Sequence, residues 1–349
     1  MSYNWKISDG YPKSHGLKVF SCFACGGGST MGYKRAGYTV LGCNEIDEGI
    51  ASVYKMNHNP KFCFISPIQD FSKRELIDYP KELFELDILD GSPPCSSFSM
   101  AGNRGDDWGK KKNFKEGQVS QVLDTLFFDF IELARKLQPK VVISENVKGL
   151  LMGDAKDYFR RVLNDFDDAG YYSNHWVLDG SKMGLPQKRE RVFIVSVRKD
   201  ICDKYFEGYF PHIDMNFYEK RISFEEATKE FWTEPGKKLT LTGQKYWPMC
   251  EEGKSFASIP EANGSYFNWL KVNRNEPAPT LTAHSEVIFH PVLPRNLNEW
   301  EYKLCGSYPL DYVVKKGVDV KYLIGMSVPP LMVQKLSERI KEFIFDKIK

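Results

Sequence analysis

Lys18-Val19-Phe20-Ser21-Cys22-Phe23-Ala24-Cys25-Gly26-Gly27-Gly28-Ser29 is the stretch on which the fold turns. It opens as a short β-branched and aromatic run, Lys18 to Phe23, passes through consecutive glycines, and enters a helix-like stretch from Thr30 to Ala36. Glycines let a backbone approach a ligand closely, and strand, glycine turn and helix in that order form the layout of dinucleotide-binding turns. A second strand follows, Tyr38 to Cys43. Glu45 closes it about 20 residues past the turn, where an acidic side chain commonly takes ribose hydroxyls. Turn, helix and terminal acid together point to an adenosine-containing ligand, and leave a nicotinamide cofactor and S-adenosylmethionine both open.

Outward from that unit the alternation continues. Lys61 to Ile65, Leu86 to Leu89, Val141 to Ser144 and Arg191 to Val197 read as strands. Between the fourth and fifth strands, Leu123, Phe127, Phe130, Ala134 and Leu137 recur at helical spacing until Gln138-Pro139 stops the pattern, and Asp154 to Ala169 is another helix. Strands alternating with helices predict an α/β fold, a doubly wound and mostly parallel sheet covered on both faces. After Arg198 the periodicity fades into Tyr, Phe, Trp, Pro and Asn. The expected division is an α/β domain at 1–198, a smaller irregular domain at 199–294, and a segment at 295–349 whose helix, Pro329 to Ile348, returns to the first domain.

The composition of the 349 residues, 42% hydrophobic and 27% charged, is that of a soluble protein, and a net charge of +2 does not by itself announce a polyanion partner. Basic residues concentrate between Arg104 and Lys115. Nothing near Met1 resembles a secretory leader and no apolar run reaches the roughly 20 residues of a membrane span, so a cytoplasmic location is expected. Eight cysteines lack regular spacing. Cys22 and Cys25 form a C-x-x-C pair without a second pair or histidines at ligand spacing, so no metal is expected.

A second stretch, Asp90-Gly91-Ser92-Pro93-Pro94-Cys95-Ser96-Ser97-Phe98-Ser99, follows the fourth strand and presents a cysteine on a stiff Pro-Pro turn. With it the chain resembles the carbon-5 DNA cytosine methyltransferases of bacterial and phage restriction-modification systems. Phe23 to Ser29 is similar to that family's cofactor loop, and Asn44-Glu45-Ile46-Asp47 to its ribose and adenine contact. Ser92-Pro93-Pro94-Cys95 with Phe98-Ser99 resembles the nucleophile motif, Glu145-Asn146-Val147 the Glu-Asn-Val motif, Gln187-Lys188-Arg189-Glu190-Arg191 the Gln-x-Arg-x-Arg motif, and Gly325 to Pro330 the closing Gly-Asn-x-Val-Pro-Pro. Four departures stand out: Cys25 for the loop's first glycine, Pro67 where an acid usually meets adenine, Met326 for asparagine, and no Arg-Gly ahead of Leu126-Phe127.

The resemblance implies a class I, Rossmann-like methyltransferase that moves a methyl group from S-adenosylmethionine, leaving S-adenosylhomocysteine, to carbon 5 of a flipped-out cytosine in double-stranded DNA. Cys95 would be the covalent nucleophile and Glu145 the acid at ring nitrogen 3; Arg191 would meet the cytosine carbonyl, with Arg189 supporting it or ordering the loop. Cofactor contacts would come from Phe23, Ala24, Gly27, Gly28, Ser29, Glu45, Ile46, Ile68, Pro93, Leu126, Ser327 and Val328. DNA contacts would come from Ser99, Arg104, Lys110, Lys111, Lys112 and Arg295, the lysines meeting phosphates; the 199–294 region would be the target-recognition domain, which Arg295 would also help to hold in place. The same reading implies a monomer, with a restriction endonuclease of the same specificity as a further partner. Its rivals are cytosine methylation in transfer RNA and a silent DNA-binding relative.

Overall fold

In β1 (Lys18–Cys22) side chains from Val19 to Cys22 are buried on both faces, as expected for an inner strand covered on both sides, so the run shows no alternation of buried and exposed positions. The computed structural model describes residues 2–94, 111–112, 121–122, 125–153 and 155–348. Its main sheet adds β2 (Thr39–Glu45), β3 (Phe62–Ile65), β4 (Ile88–Gly91), β5 (Val141–Val147), β6 (Tyr171–Asp179) and β7 (Glu190–Arg198). The strand order is β3-β2-β1-β4-β5-β7-β6. The first five of these neighbours pair in parallel, while β7 runs antiparallel to β5. The mostly parallel α/β sheet read from the sequence is therefore present, with α1 (Gly28–Arg35), α2 (Glu48–His58), α3 (Ile68–Ser72), α4 (Leu126–Leu137) and α5 (Ala155–Asp168) between strands.

The apolar stripe of α4 explains one face. Leu126, Phe127, Phe130, Ile131, Ala134 and Leu137 are buried with Phe20, Leu89 and Val142 of the sheet, joined by Phe71 of α3 and Val162 and Phe166 of α5. Gln138, at φ 48°, ends α4 with its N–H bonded to the Ala134 carbonyl, and Pro139 cannot extend the helix. Residues alternating with Phe20 and Leu89, namely Ser21 and Asp90, face the opposite side, where α1 lies.

The chain divides into two compact units with boundaries unlike those expected at 1–198, 199–294 and 295–349. The larger unit takes 11–178, 190–215 and 333–349; the smaller takes 1–10, 179–189 and 216–332. Each difference has a local cause. Trp5 Nε1 donates to the Ser307 carbonyl and the Ile7 and Ser8 amides donate to Asp311, which ties the N-terminus to the smaller unit. Residues 199–215 stay with the larger unit through the Lys199 amide, bonded to the Gly170 carbonyl, and through Trp176 against Phe210. Of the expected returning segment only 333–349 belongs to the larger unit, where the Tyr38 hydroxyl donates to the Ser337 carbonyl at 2.8 Å. In the smaller unit, short helical turns surround a core of Leu239, Tyr246, Cys250, Phe256, Ile259, Ala262 and Phe289.

Candidate active site

The glycine-rich turn is held open by backbone conformation. Phe23 and Cys25 sit at φ 54° and 47°, and Gly27 at φ 79°, so three of five consecutive residues are left-handed. A Cβ on Gly27 would lie 2.1 Å from His58 Nε2, which restricts the position to glycine for steric as well as conformational reasons. His58, at the end of α2, bonds the Gly26 carbonyl at 3.2 Å; burial holds its pKa down to about 3, so it supports the turn as a neutral imidazole. Glu45, at the C-terminal end of β2, accepts from the amides of Cys25 (2.8 Å), Ile46 (2.9 Å) and Asp47 (3.1 Å). Burial raises its pKa against those three bonds. A carboxylate offers about four lone-pair sites, so capacity for a ribose hydroxyl remains after three are used. Half-buried Ile46 beside it supplies an apolar surface. Left-handed turn, acid and apolar neighbour fit the adenosine end of a nucleoside cofactor.

Asp90 was not singled out from the sequence, although a carboxylate inside an apolar strand was a signal. It is 5% exposed and receives hydrogen bonds from Ser21 Oγ at 2.7 Å and Tyr33 OH at 3.1 Å, with Ser29 also bonded to it. It thus joins β4 to β1 and to the first turns of α1. Burial pushes its carboxyl up to about 7, opposed by the three hydroxyls and assisted by the charge of Glu145. The folded protein holds this proton more tightly than the unfolded chain, where the ordinary value is 3.8. Stability from this group is therefore complete below about 4 and is lost as pH rises towards about 7. Thermal unfolding at a series of pH values should show the wild type losing on the order of 2 kcal/mol relative to Asp90→Asn between about pH 5 and 7. Parallel curves for the two proteins would show that Asp90 does not titrate there.

Two of the catalytic candidates, Glu145 and Arg191, meet where β5 and the start of β7 run side by side, at the edge of the sheet where parallel strands end and α/β proteins bind ligands. Asn146 Nδ2 donates to the Pro93 carbonyl at 3.1 Å and its Oδ1 accepts from the Val147 amide at 2.8 Å. This amide, 4% exposed, fixes the backbone two residues before Cys95; the sequence marked it only as part of a motif. Glu145 Oε1 lies 3.0 Å from Arg191 Nε, with side chains 12% and 15% exposed. Burial lowers the Arg191 pKa and the neighbouring carboxylate raises it in turn. The antiparallel register puts Val147 opposite Arg191 and Glu145 opposite Phe193, so both charged side chains leave the sheet at one end. The pair presents an acid and a cation side by side, a set able to meet a heterocyclic nitrogen and an adjacent carbonyl oxygen.

Gln187 and Arg189 belong to the smaller unit. Gln187 Nε2 donates to the Cys305 carbonyl and its Oε1 accepts from the Leu281 amide. Arg189, 2% exposed, donates to the carbonyls of Leu281 (2.9 Å), Gly325 (3.2 Å) and Ser327 (2.9 Å). Of the two roles implied for Arg189, the geometry matches loop ordering. Ser327 is further held by Tyr308 OH at 2.6 Å, and Val328 is 4% exposed. Gly325 is dictated by close approach, since a Cβ there would lie 2.2 Å from the Thr282 carbonyl carbon.

Arg295 was implied both on DNA and in holding its domain in place; its guanidinium donates to both oxygens of Glu301 (2.7 and 2.9 Å) and to the carbonyls of Trp232 and Asn296, with the carboxylate wholly buried, which matches the second role and not the first. All that donor capacity serves the core of the smaller unit. Ile68 and Leu126 are 3% and 1% exposed within the main core, which leaves little of either open to a cofactor. Phe23 is half-buried and packs on Phe130, while Ala24, Gly27, Gly28, Ser29 and Pro93 are buried at the turn and at the strand end. Cys95, Ser99, Arg104 and Lys110 lie outside the described residues. The backbones of Lys111 and Lys112 pair antiparallel with Val122 and Gln121.

Residues 17–342 match the family model of C-5 cytosine-specific DNA methylases. Among similar curated proteins, the type II methyltransferase M.FnuDI of Fusobacterium nucleatum is 34% identical over 196 residues, 56% of this chain and 51% of that protein, so the chain spans about half of that relative. M.Eco47II of Escherichia coli, also a type II methyltransferase, is 29% identical over 337 residues, 89% of this chain and 75% of its own length. Two solved structures share the fold. A prophage-encoded Escherichia coli protein described as a DNA modification methyltransferase superposes with a TM-score of 0.68 at 16% identity, covering 94% of this chain and 99% of its own. A DNMT2 variant from Spodoptera frugiperda gives 0.58 at 15%, covering 93% and 99%.

Proposed function

Because the chain belongs to the C-5 cytosine-specific DNA methylase family, we propose that it methylates carbon 5 of one cytosine within a short double-stranded DNA sequence, through a covalent adduct on Cys95. One observation carries the reading: Glu145 and Arg191 stand paired at the strand ends where Asn146 fixes Pro93, two residues ahead of Cys95. S-adenosylmethionine supplies the methyl group when bound, held by the 23–29 turn, Glu45 and Ile46, with Ser327 and Val328 as the further contacts that the family motif implies.

Carbon 5 of cytosine is a poor nucleophile. Attack of the Cys95 thiolate on carbon 6 breaks aromaticity and makes carbon 5 enamine-like, which divides one difficult step into easier ones. Glu145 gives a proton to ring nitrogen 3, so charge does not accumulate on the base. Arg191 turns its guanidinium to the cytosine carbonyl oxygen. Asn146 holds the Pro93 carbonyl and so sets the direction in which the chain enters Cys95. Loss of the carbon 5 proton and departure of Cys95 then restore the ring. A paired base is out of reach of such a thiol, so the nucleotide is flipped out of the duplex.

Ser99, Arg104, Lys110, Lys111 and Lys112 are the proposed DNA contacts, the basic groups meeting phosphates with the salt dependence that follows. Base readout comes from the part of the 199–294 region that lies in the smaller unit, residues 216–294. The protein acts as a cytoplasmic monomer in a restriction-modification system, alongside an endonuclease that cuts the same site, or as a solitary phage or bacterial enzyme. Among the described residues no helix is long and apolar enough to cross a membrane.

Genomic DNA from a methylation-free bacterial host expressing this chain, sequenced at base resolution, should carry 5-methylcytosine at one recurring short motif. Unmethylated DNA together with 5-methylcytosine in the host's transfer RNA would overturn the DNA substrate.

A further inference from the structure

We propose that Cys43 and Cys63 are an oxidisable thiol pair whose disulfide loosens the grip of the protein on the adenosine end of its cofactor; the second half of this inference rests on the cofactor site proposed above. Cys43 on β2 and Cys63 on β3 are direct register partners in a parallel pair of strands, and their sulfurs are 3.6 Å apart with the Cys43 thiol donating. Backbones of adjacent strands lie ~4.8 Å apart, inside the ~4.4–6.8 Å that a disulfide spans. Closing the bond to ~2.05 Å requires only a small inward shift. That shift is available because β3 is the edge of the sheet.

The two thiols differ in a way that assigns their roles. Cys63 is half-buried, and the thiol of Cys43 together with the Lys55 charge lowers its pKa, which favours its thiolate over that of Cys43. Cys43 is wholly buried, with its pKa raised by the bond to Cys63 and by burial, and serves as the resolving thiol. A low-molecular-weight disulfide is the oxidant. The Cys63 thiolate attacks one of its sulfurs and expels a thiolate, giving a mixed disulfide. Cys43 then attacks the Cys63 sulfur, its proton passing to the second departing thiolate. The protein loses two hydrogens and one oxidant disulfide becomes two thiols.

The consequence follows from what surrounds the pair. Cys43 and Cys63 pack with Ala24 of the glycine turn and Tyr54 of α2. Two residues beyond Cys43 on the same strand, Glu45 holds the Cys25 amide of that turn. Drawing β3 towards β2 moves the strand end that carries this carboxylate, and the turn moves with it.

The test uses the full-length protein incubated with glutathione disulfide, alkylated and mapped by mass spectrometry, with S-adenosylmethionine affinity measured by calorimetry before and after. The expected result is a Cys43–Cys63 linked peptide, a several-fold weaker affinity, and recovery of both with dithiothreitol. Cys63→Ser should bind like the reduced wild type and stay insensitive to the oxidant. Both cysteines alkylated after treatment, or a link joining either to another cysteine instead, would overturn the pair. A Cys43–Cys63 link with unchanged affinity would overturn the regulatory half. A reduced protein with no affinity at all would count against the cofactor assignment, which the peptide map does not depend on.

Discussion

Cys95→Ser is expected to lower the methylation rate by at least about 10⁴-fold, the scale seen when a covalent nucleophile is removed. The exchange is close to isosteric but replaces an ionisable thiol by a far less acidic and less nucleophilic hydroxyl. Attack on carbon 6 then has no competent nucleophile, and carbon 5 stays unreactive. Because Cys95 is assigned to the chemistry alone, calorimetry should find S-adenosylmethionine affinity within a few-fold of wild type. DNA containing 5-fluorocytosine should trap the wild-type protein as a denaturation-resistant adduct and leave the variant free. If the variant kept more than about one-hundredth of the wild-type rate, a covalent mechanism through Cys95 would be untenable.

Much of the larger unit was legible because its signals are local. A buried parallel strand writes itself as an apolar run, and α4 shows its stripe, its stop at Gln138 and its Pro139 within one short window. What escaped was set by tertiary partners. β6 (Tyr171–Asp179) mixes Tyr, Ser, Asn, His and Trp because it lies at the sheet edge with most of its residues only part-buried, and it gives neither clean alternation nor an apolar run. The unit boundaries escaped for the same reason. Trp5 with Ser307 and Gln187 with Cys305 are contacts between residues more than a hundred positions apart, which no reading of neighbouring residues supplies.

The two arginines of the Gln-x-Arg-x-Arg motif show what spacing alone leaves open. The motif allows Arg189 either to support Arg191 or to order the loop, and two-residue spacing does not choose between them. β7 begins at Glu190, however, and the boundary between the units falls between Arg189 and Glu190. Arg189 spends its donors on three carbonyls of the smaller unit, whereas Arg191 turns to Glu145. Arg295 makes the same point on the surface question. A basic residue just past the expected DNA-reading region of 199–294 can be taken for a phosphate contact until a buried carboxylate, here Glu301, is found to require it.

Glu145→Gln should lower the catalytic rate by about 10²–10⁴-fold, the range a positioned general acid contributes. Glutamine keeps the shape and an acceptor oxygen for Arg191 Nε, now 3.0 Å from Glu145, so the end of β5 should survive the change. It cannot give up a proton, and negative charge would then build on the base as Cys95 attacks. The loss should therefore fall on the rate of adduct formation with 5-fluorocytosine DNA, while cofactor affinity and the melting midpoint stay close to wild type. Arg191→Gln is the informative companion. It removes the cation meant for the cytosine carbonyl and leaves Glu145 largely buried without its partner, at a cost of about 1–3 kcal/mol in stability. Since the two groups touch, the double variant should lose less than the product of the single losses, a coupling on the order of 0.5–3 kcal/mol. Strict additivity in that cycle would mean that the two groups act independently, and a Glu145→Gln rate within tenfold of wild type would mean that the pair is a structural ion pair and that the proton at ring nitrogen 3 comes from another group.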